Sequence, residues 1–242
     1  MEIIKHKPQE QKIKTLIYGA SGAWKTVFAS SAPKPIFLSA ESWLLSTRKE
    51  LDVVMIKKLD DLRDAYTELK NKKDEYGYET IIIDSITEIN DIIKAEIEKR
   101  NGRPMQIQDW WELAKTIKTL FKMFRDLDYH VLMIAQEDFE KDEERIHKIV
   151  PMLNGKSATQ IAYYMDIVGY IYVEKDGTRK VLTDSDPKLL TKDRTWSIGN
   201  DTAPRFEAWV KVLEKMDTST PLPKTSSVKD FLAKAKEWKN KA

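Results

Sequence analysis

The sequence predicts an α/β fold on a central, mostly parallel, twisted sheet flanked by helices. Three observations carry that reading. Apolar, β-branched runs alternate with helix-period segments from residue 13 to residue 135, the grammar that right-handed crossovers between parallel strands produce. One run, Thr80-Ile81-Ile82-Ile83-Asp84, is apolar without alternation, as suits a strand covered on both faces. The first run ends in a small-residue loop that leads straight into a helix-forming segment.

That loop reads Gly19-Ala20-Ser21-Gly22-Ala23-Trp24-Lys25-Thr26. It is one residue away from the phosphate-binding pattern of Gly, four residues, then Gly-Lys-Ser/Thr. Backbone N–H groups of such a loop cradle phosphates where no bulky side chain intrudes. The lysine then neutralises the terminal phosphates, and the threonine hydroxyl holds a magnesium ion. Position 24 departs from the pattern: glycine lets the backbone approach phosphate and accepts unusual dihedrals, whereas the indole of Trp24 adds bulk where a ligand should lie. The bland alternative, a chance Gly/Ser-rich turn, fits the strand-then-helix setting poorly.

The remaining elements follow in order. Residues 13–18 form a buried strand, and a helix runs from the loop to about Ser31, where Ala32-Pro33-Lys34-Pro35 breaks the chain. Ile36 to Ser39 and Val53 to Ile56 are strands, and Leu59, Leu62, Ala65, Tyr66 and Leu69 recur at helical spacing. After the central strand, Ile86–Arg100 is an amphipathic helix stopped by Asn101-Gly102, and Asp109–Leu127 is another. His130–Ala135 is a strand ending at Gln136. Asp138–Lys148 reads as a charged loop, Gly155–Tyr164 as a helix, and Ile167–Glu174 with Arg179–Thr183 as a hairpin around Asp176-Gly177. Leu189 to Thr191 suggests a further strand, and Phe206, Trp209, Val210 and Leu213 mark a closing helix. The domain plan is a leader over 1–12, a core over 13–216, a Ser/Thr/Pro linker over 217–227 and a basic amphipathic helix over 228–242.

Composition sets the outer limits. A chain of 242 residues with 41% hydrophobic and 33% charged residues has room for one substantial core. Its formal charge of +2 makes no global demand for nucleic acid, so such binding would depend on a local patch. No apolar run approaches the roughly 18 residues that suggest a membrane helix, and the N-terminus lacks a secretory pattern. The absence of cysteine excludes disulfides and thiolate metal sites, and His6, His130 and His147 show no ligand spacing. A cytoplasmic domain is the expectation.

Taken in order, these motifs resemble those of the RecA-like ATPases, and specifically the small single-domain phage members described as recombination ATPases or phage nucleotide-binding proteins. The resemblance spans residues 13–200 or so and rests on the order of the motifs. It implies a RecA-like P-loop NTPase core with a C-terminal β-hairpin extension and a tail helix, and ATP and Mg2+ as cofactors. Ile36-Phe37-Leu38-Ser39-Ala40-Glu41 is similar to the family's second-strand motif, whose glutamate activates the attacking water. Asp84, after three isoleucines, resembles the acid that reaches magnesium, usually through its waters. Gln136 resembles the polar sensor of the γ-phosphate. Residues 151–168 resemble the second DNA-facing loop, helix and return strand, and Lys192 and Arg194 resemble the basic pair that crosses to a neighbour's nucleotide. That geometry implies a ring or a helical filament of identical copies, with single-stranded DNA as the polymer. The tail helix, read from its own sequence, could dock on its own domain, on a neighbour or on another protein, and docking within the assembly is the expectation.

Each of these residues also has a plain structural reading: a solvated acid for Glu41, a helix cap for Asp84, an exposed hairpin for Lys192 and Arg194. Trp43, just after Glu41, is a second departure from the resemblance, which implies a small residue there; its indole could close the site or stack on a base, and its plain reading is core packing. The segment Glu137 to Arg145 is rich in acids, which repel phosphate, so Arg145, Lys148 and Lys156, with Phe139 for stacking, are the local DNA-binding candidates. The leading expectation is an ATPase of this type acting on single-stranded DNA in recombination or annealing. The rival is a hydrolysis-deficient oligomeric scaffold or DNA-binding protein whose phosphate loop is blocked by Trp24. Kinase chemistry ranks third, since no acceptor site or lid is evident.

Overall fold

The structure, a computed structural model, describes residues 11–41, 47, 49–141, 147–154, 157–200 and 202–215. The leader up to residue 10, Trp43, Arg145, Lys156, the linker and the tail helix read from sequence lie outside the described residues. Strand β1 (Lys14–Gly19) passes through the phosphate-type loop into the short helix α1 (Lys25–Ala29), and β2 (Pro35–Ser39) and β3 (Asp52–Met55) follow. Helices α2 (Leu59–Asn71) and α3 (Lys73–Tyr76) lead to β4 (Thr80–Asp84), α4 (Ile86–Asn101) and α5 (Ile107–Arg125). The chain continues through β5 (His130–Lys141), β6 (His147–Pro151), α6 (Ser157–Tyr164), β7 (Ile167–Val173), β8 (Arg179–Leu182), β9 (Lys192–Asp193) and α7 (Phe206–Glu214).

The central sheet has the order β3-β2-β4-β5-β1-β7-β8 and is parallel from β3 to β7. This is the mostly parallel, helix-flanked α/β architecture the sequence predicts. Successive residues along each strand point to opposite faces, and they divide into two cores. Leu16, Leu38, Ile81, Ile83, Val131 and Met133 pack against α2, α4, α5 and α6. Ile17, Phe37, Ile82, Leu132 and Ile134 pack against α1 and α7. The unbroken isoleucine run of β4 is thus explained: Ile82 feeds one core, and its two neighbours feed the other.

The hairpin of β7 and β8 is continuous with this sheet. β7 pairs in parallel with β1, and β8 closes the edge antiparallel to it. Two readings need correction. The charged segment after Gln136 is not a loop throughout: β5 continues to Lys141 and pairs antiparallel with β6, with Glu140 opposite Lys148. The extension of β5 past Gln136 is mostly charged, with Asp138, Phe139 and Glu140 exposed, so its sequence reads as loop, while cross-strand opposite charges support the pairing. The strand expected over Leu189–Thr191 is instead β9, two residues long, which pairs with the start of β7; Leu189 makes isolated bridges to Ile149 and Asp186.

Candidate functional site

The parallel strands bring their carboxyl ends to one rim. Gly19 is level with Gln136, and Ser39 is level with Asp84, which pairs with Ile134 two residues back from Gln136. Around that rim Glu41, Asp84 and Gln136 share a cleft of about 340 Å³ with Ser21, Gly22, Trp24, Lys25 and Thr26 of the loop.

The loop owes its shape to its first and later residues for different reasons. A Cβ on Gly19 would lie 2.2 Å from the carbonyl oxygen of Ile171 on β7, so close strand packing excludes any side chain there. Ala23 N–H donates to the Ala20 carbonyl at 3.2 Å, closing a turn. Gly22 and Trp24 both have φ of 76°, the left-handed region that suits glycine. Trp24 therefore keeps the backbone conformation of the glycine it replaces, at a cost of about 1–2 kcal/mol for an L-residue.

Lys25 is buried and fully engaged. Its Nζ donates to the carbonyls of Gly19 (2.8 Å) and Ala20 (2.7 Å) and to Gln136 Oε1 (2.9 Å). Burial depresses its pKa, opposed by the charges of Asp84, Glu41 and Glu137. Thr26 Oγ1 donates to Asp84 Oδ2 at 2.8 Å, while Asp84 Oδ1 is buried without a hydrogen-bond partner. Burial first, then the Glu41 charge, pushes the Asp84 carboxyl up to about 6; the Thr26 hydroxyl and the Lys25 charge pull the other way.

A buried carboxylate oxygen left unpaired beside a hydroxyl is a set of hard oxygen donors, which suits Mg2+ rather than a soft metal. No cluster of three or more His, Cys, Asp or Glu with metal-binding geometry occurs among the described residues.

Glu41 follows β2. Its backbone carbonyl accepts from Ser39 Oγ at 2.8 Å, and Ala40 N–H donates to the Asp84 carbonyl at 2.9 Å, fixing this end of β2 to β4. Gln136 is wired backwards as well as forwards. Its N–H donates to Thr87 Oγ1 (3.0 Å), its carbonyl accepts from Met152 N–H (2.8 Å), and Thr87 Oγ1 donates to the Met152 carbonyl (3.2 Å). The amide that touches Lys25 is thereby linked to α4 and to the chain just beyond β6.

The remaining sequence candidates lie elsewhere. Lys192 and Arg194 stand beside the start of β7, where Lys192 is opposite Val168 and Val168 is level with Leu16. Both cap the end of α6: Lys192 Nζ donates to the Ala162 carbonyl (2.5 Å) and Arg194 Nη2 to the Tyr163 carbonyl (3.1 Å). Burial, aided by the Arg194 charge, lowers the Lys192 pKa to about 8. Lys148 lies on β6 and Phe139, 63% exposed, on β5. Two contributors have no sequence signal of their own. Thr87 is an ordinary helix residue until folding sets it beneath Gln136, and Arg179 opens a hairpin strand whose fold places it over the Trp24 ring.

Residues 11–195 match the AAA domain family AAA_24. The chain belongs to that AAA family. Membership makes it a P-loop ATPase by descent and implies nucleotide binding, typically with Mg2+. Among solved structures, a KaiC-like protein from the hyperthermophilic archaeon Pyrococcus horikoshii is similar at 15% identity over 70% of this chain and 77% of that one, with a TM-score of 0.42. No curated protein matches. No described helix of this AAA domain is long and apolar enough to cross a membrane.

Proposed function

We propose that this AAA-family chain binds Mg-ATP at the rim cleft, between adjoining copies, and hydrolyses it while acting on single-stranded DNA in recombination or annealing. The observation that carries the reading is the convergence of Lys25, Thr26, Asp84, Glu41 and Gln136, from four separate stretches of chain, on one cleft.

The roles follow from the chemistry of each group. Lys25 neutralises the terminal phosphates, exchanging its present carbonyl and amide partners for phosphate oxygens. Thr26 and Asp84 hold the magnesium ion, whose charge offsets that of the transferring phosphoryl group. Glu41 orients and deprotonates the attacking water. Gln136 exchanges its Lys25 contact for the γ-phosphate and passes the change through Thr87 and Met152 to the β5–β6 ribbon. Lys192 and Arg194 act on the nucleotide of a neighbouring copy.

DNA contact is assigned to the ribbon, through Phe139 and Lys148, with Arg145 and Lys156, which lie outside the described residues, as further candidates from the sequence. An exposed aromatic on a ribbon tied to the sensor amide supports this, because single-strand binders combine stacking rings with cations. The half-exposed indole in the cleft wall gives the rival reading, a non-hydrolysing scaffold, its own support.

Equilibrium binding of Mg-ATP, and phosphate release with and without single-stranded DNA, separate the two. We expect micromolar binding lost in Lys25→Ala, and turnover stimulated by DNA in a salt-sensitive way. Binding without turnover, unchanged by DNA, establishes the scaffold. No binding rejects the ATPase and leaves the scaffold whose loop Trp24 blocks, and binding that survives Lys25→Ala places the nucleotide outside this cleft.

A further inference from the structure

A tryptophan in the left-handed turn of a phosphate loop needs an account of where its ring goes. The Trp24 ring is 48% exposed and forms part of the cleft wall. Arg179 covers it, with Cζ 3.6 Å from the ring centroid, the separation of a stacked guanidinium and indole. Arg179 is the first residue of β8 and pairs with Val173, the last residue of β7. It therefore stands at the same rim as the loop, but on the β8 side, two strands beyond β1 and away from Asp84, which ends β4, and Glu41, which follows β2.

The guanidinium has few other ties. Nη1 donates to the Gly177 carbonyl at 3.0 Å, Nε is buried with no hydrogen-bond partner, and no carboxylate pairs with it among the described residues. Its acidic neighbour Glu174 is committed to Lys180 at 3.0 Å. An arginine that forgoes an acid and leaves a buried N–H unpaired is held chiefly by the aromatic face it covers.

We propose that Arg179 is a positioning residue, which pins the Trp24 indole to the β8 side of the cleft and keeps it clear of the loop's phosphate cradle. The proposal rests on the nucleotide-site reading above, and the ligand it concerns is the di- or triphosphate of a nucleotide. A free indole turning about its χ1 sweeps the space in front of the loop N–H groups. A ring fixed on one side becomes a wall. The loop thus carries a bulky residue in a glycine position because a second element restrains it.

Mg-ATP affinity, measured by equilibrium dialysis, tests this across the full-length chain, Arg179→Ala, Arg179→Lys, Trp24→Gly and the Arg179→Ala/Trp24→Gly double variant. A stack of this kind corresponds to roughly a two- to thirtyfold change in an equilibrium constant. Arg179→Ala should weaken binding within that range, and Arg179→Lys should recover part of the loss. The double variant should bind like Trp24→Gly alone, since with no indole there is nothing left to restrain. Equal losses from Arg179→Ala in both backgrounds, or no loss in either, overturn the proposal.

A nucleotide-free readout accompanies it: 19F NMR of 5-fluorotryptophan-labelled protein, with the Trp24 resonance assigned by its loss in Trp24→Phe. Arg179→Ala should shift that resonance towards its solvent-exposed position and leave the six others in place, of the seven tryptophans in the chain. An unmoved Trp24 signal rejects the stack whatever the binding data show. A moved signal with no nucleotide binding by any of the five proteins rejects the site reading instead, and with it the cradle.

Discussion

Asp84 concentrates the chemistry of the site in one side chain. It is 1% exposed, has one oxygen bound to Thr26 and the other unpaired, and its carboxyl is raised from 3.8 to about 6 by burial and the Glu41 charge. A carboxyl with a folded-state pKa above its unfolded value prefers its neutral form in the fold. The resulting penalty is absent below about pH 3.8, grows as pH rises between the two values, and is complete above about 6. At roughly 1.4 kcal/mol per unit, the effect is on the order of 2–3 kcal/mol. The thermal stability of the metal-free protein, measured relative to Asp84→Asn, should therefore fall as pH rises from 4 to 6.5 and level off above. A flat difference would mean that Asp84 ionises freely. Cation binding requires the ionised form, so Mg-ATP affinity should weaken by up to about tenfold per pH unit below 6; calorimetric titrations at pH 5, 6 and 7.5 measure it, and a pH-independent affinity places the cation elsewhere. Lys25, Thr26 and Asp84 were legible in the sequence because each stands at a fixed offset from a strand end. Arg179 was not, because its partner is a ring on a distant stretch of chain, and no local pattern encodes a contact between two edges of a folded sheet.

Among the elements, β1 shows how the fold and the site share residues. Sequence reading assigns Gly19 to phosphate binding, yet its firmest constraint is the Ile171 carbonyl of β7, 2.2 Å from where a Cβ would sit. Backbone cannot yield as a flexible side chain can, so Gly19→Ala should cost about 2–3 kcal/mol or more by overpacking. In a domain of this size that corresponds to a fall in Tm of roughly 2–4 °C per kcal/mol. An unchanged melting temperature would show that β7 moves aside. Thr87 plays the linking part between α4, β5 and the chain after β6. Thr87→Val removes the acceptor for Gln136 N–H and the donor to Met152, and should cost about 1–3 kcal/mol by stranding a buried group; urea unfolding measures it, and an equal midpoint would mean the network carries no energy. Alternation of strands and helices up to β5 was readable because buried elements impose their period on the sequence. The extension of β5 into the ribbon was not, since its exposed residues Asp138, Phe139 and Glu140 follow no buried period.

At the scale of the whole molecule, the sheet sets the loop and the basic pair apart. Lys25 follows the carboxyl end of β1, whereas Lys192 is level with Leu16, three residues before Gly19 and so about 10 Å back along the strand. Within one copy, Lys192 and Arg194 cap α6, which accounts for their positions without catalysis. A head-to-tail neighbour changes this, because heterologous contacts set one surface of a copy against a different surface of the next. Each copy then supplies its loop to one interface and its basic pair to the other. Arg194→Ala should lower hydrolysis by ten- to a thousandfold while leaving Mg-ATP affinity within a few fold, the pattern of a group that acts on the transition state. Lys25→Ala should abolish both. Mixed in equal amounts, the two inactive variants should recover hydrolysis: in random assemblies about a quarter of the interfaces join an intact loop to an intact Arg194. Loss of the helix cap alone lowers the melting temperature of Arg194→Ala by the same amount in the mixture as in the single variant, so it produces no recovery. A mixture no more active than its components would therefore return Lys192 and Arg194 to a purely structural role, and would leave the cleft to work within a single copy.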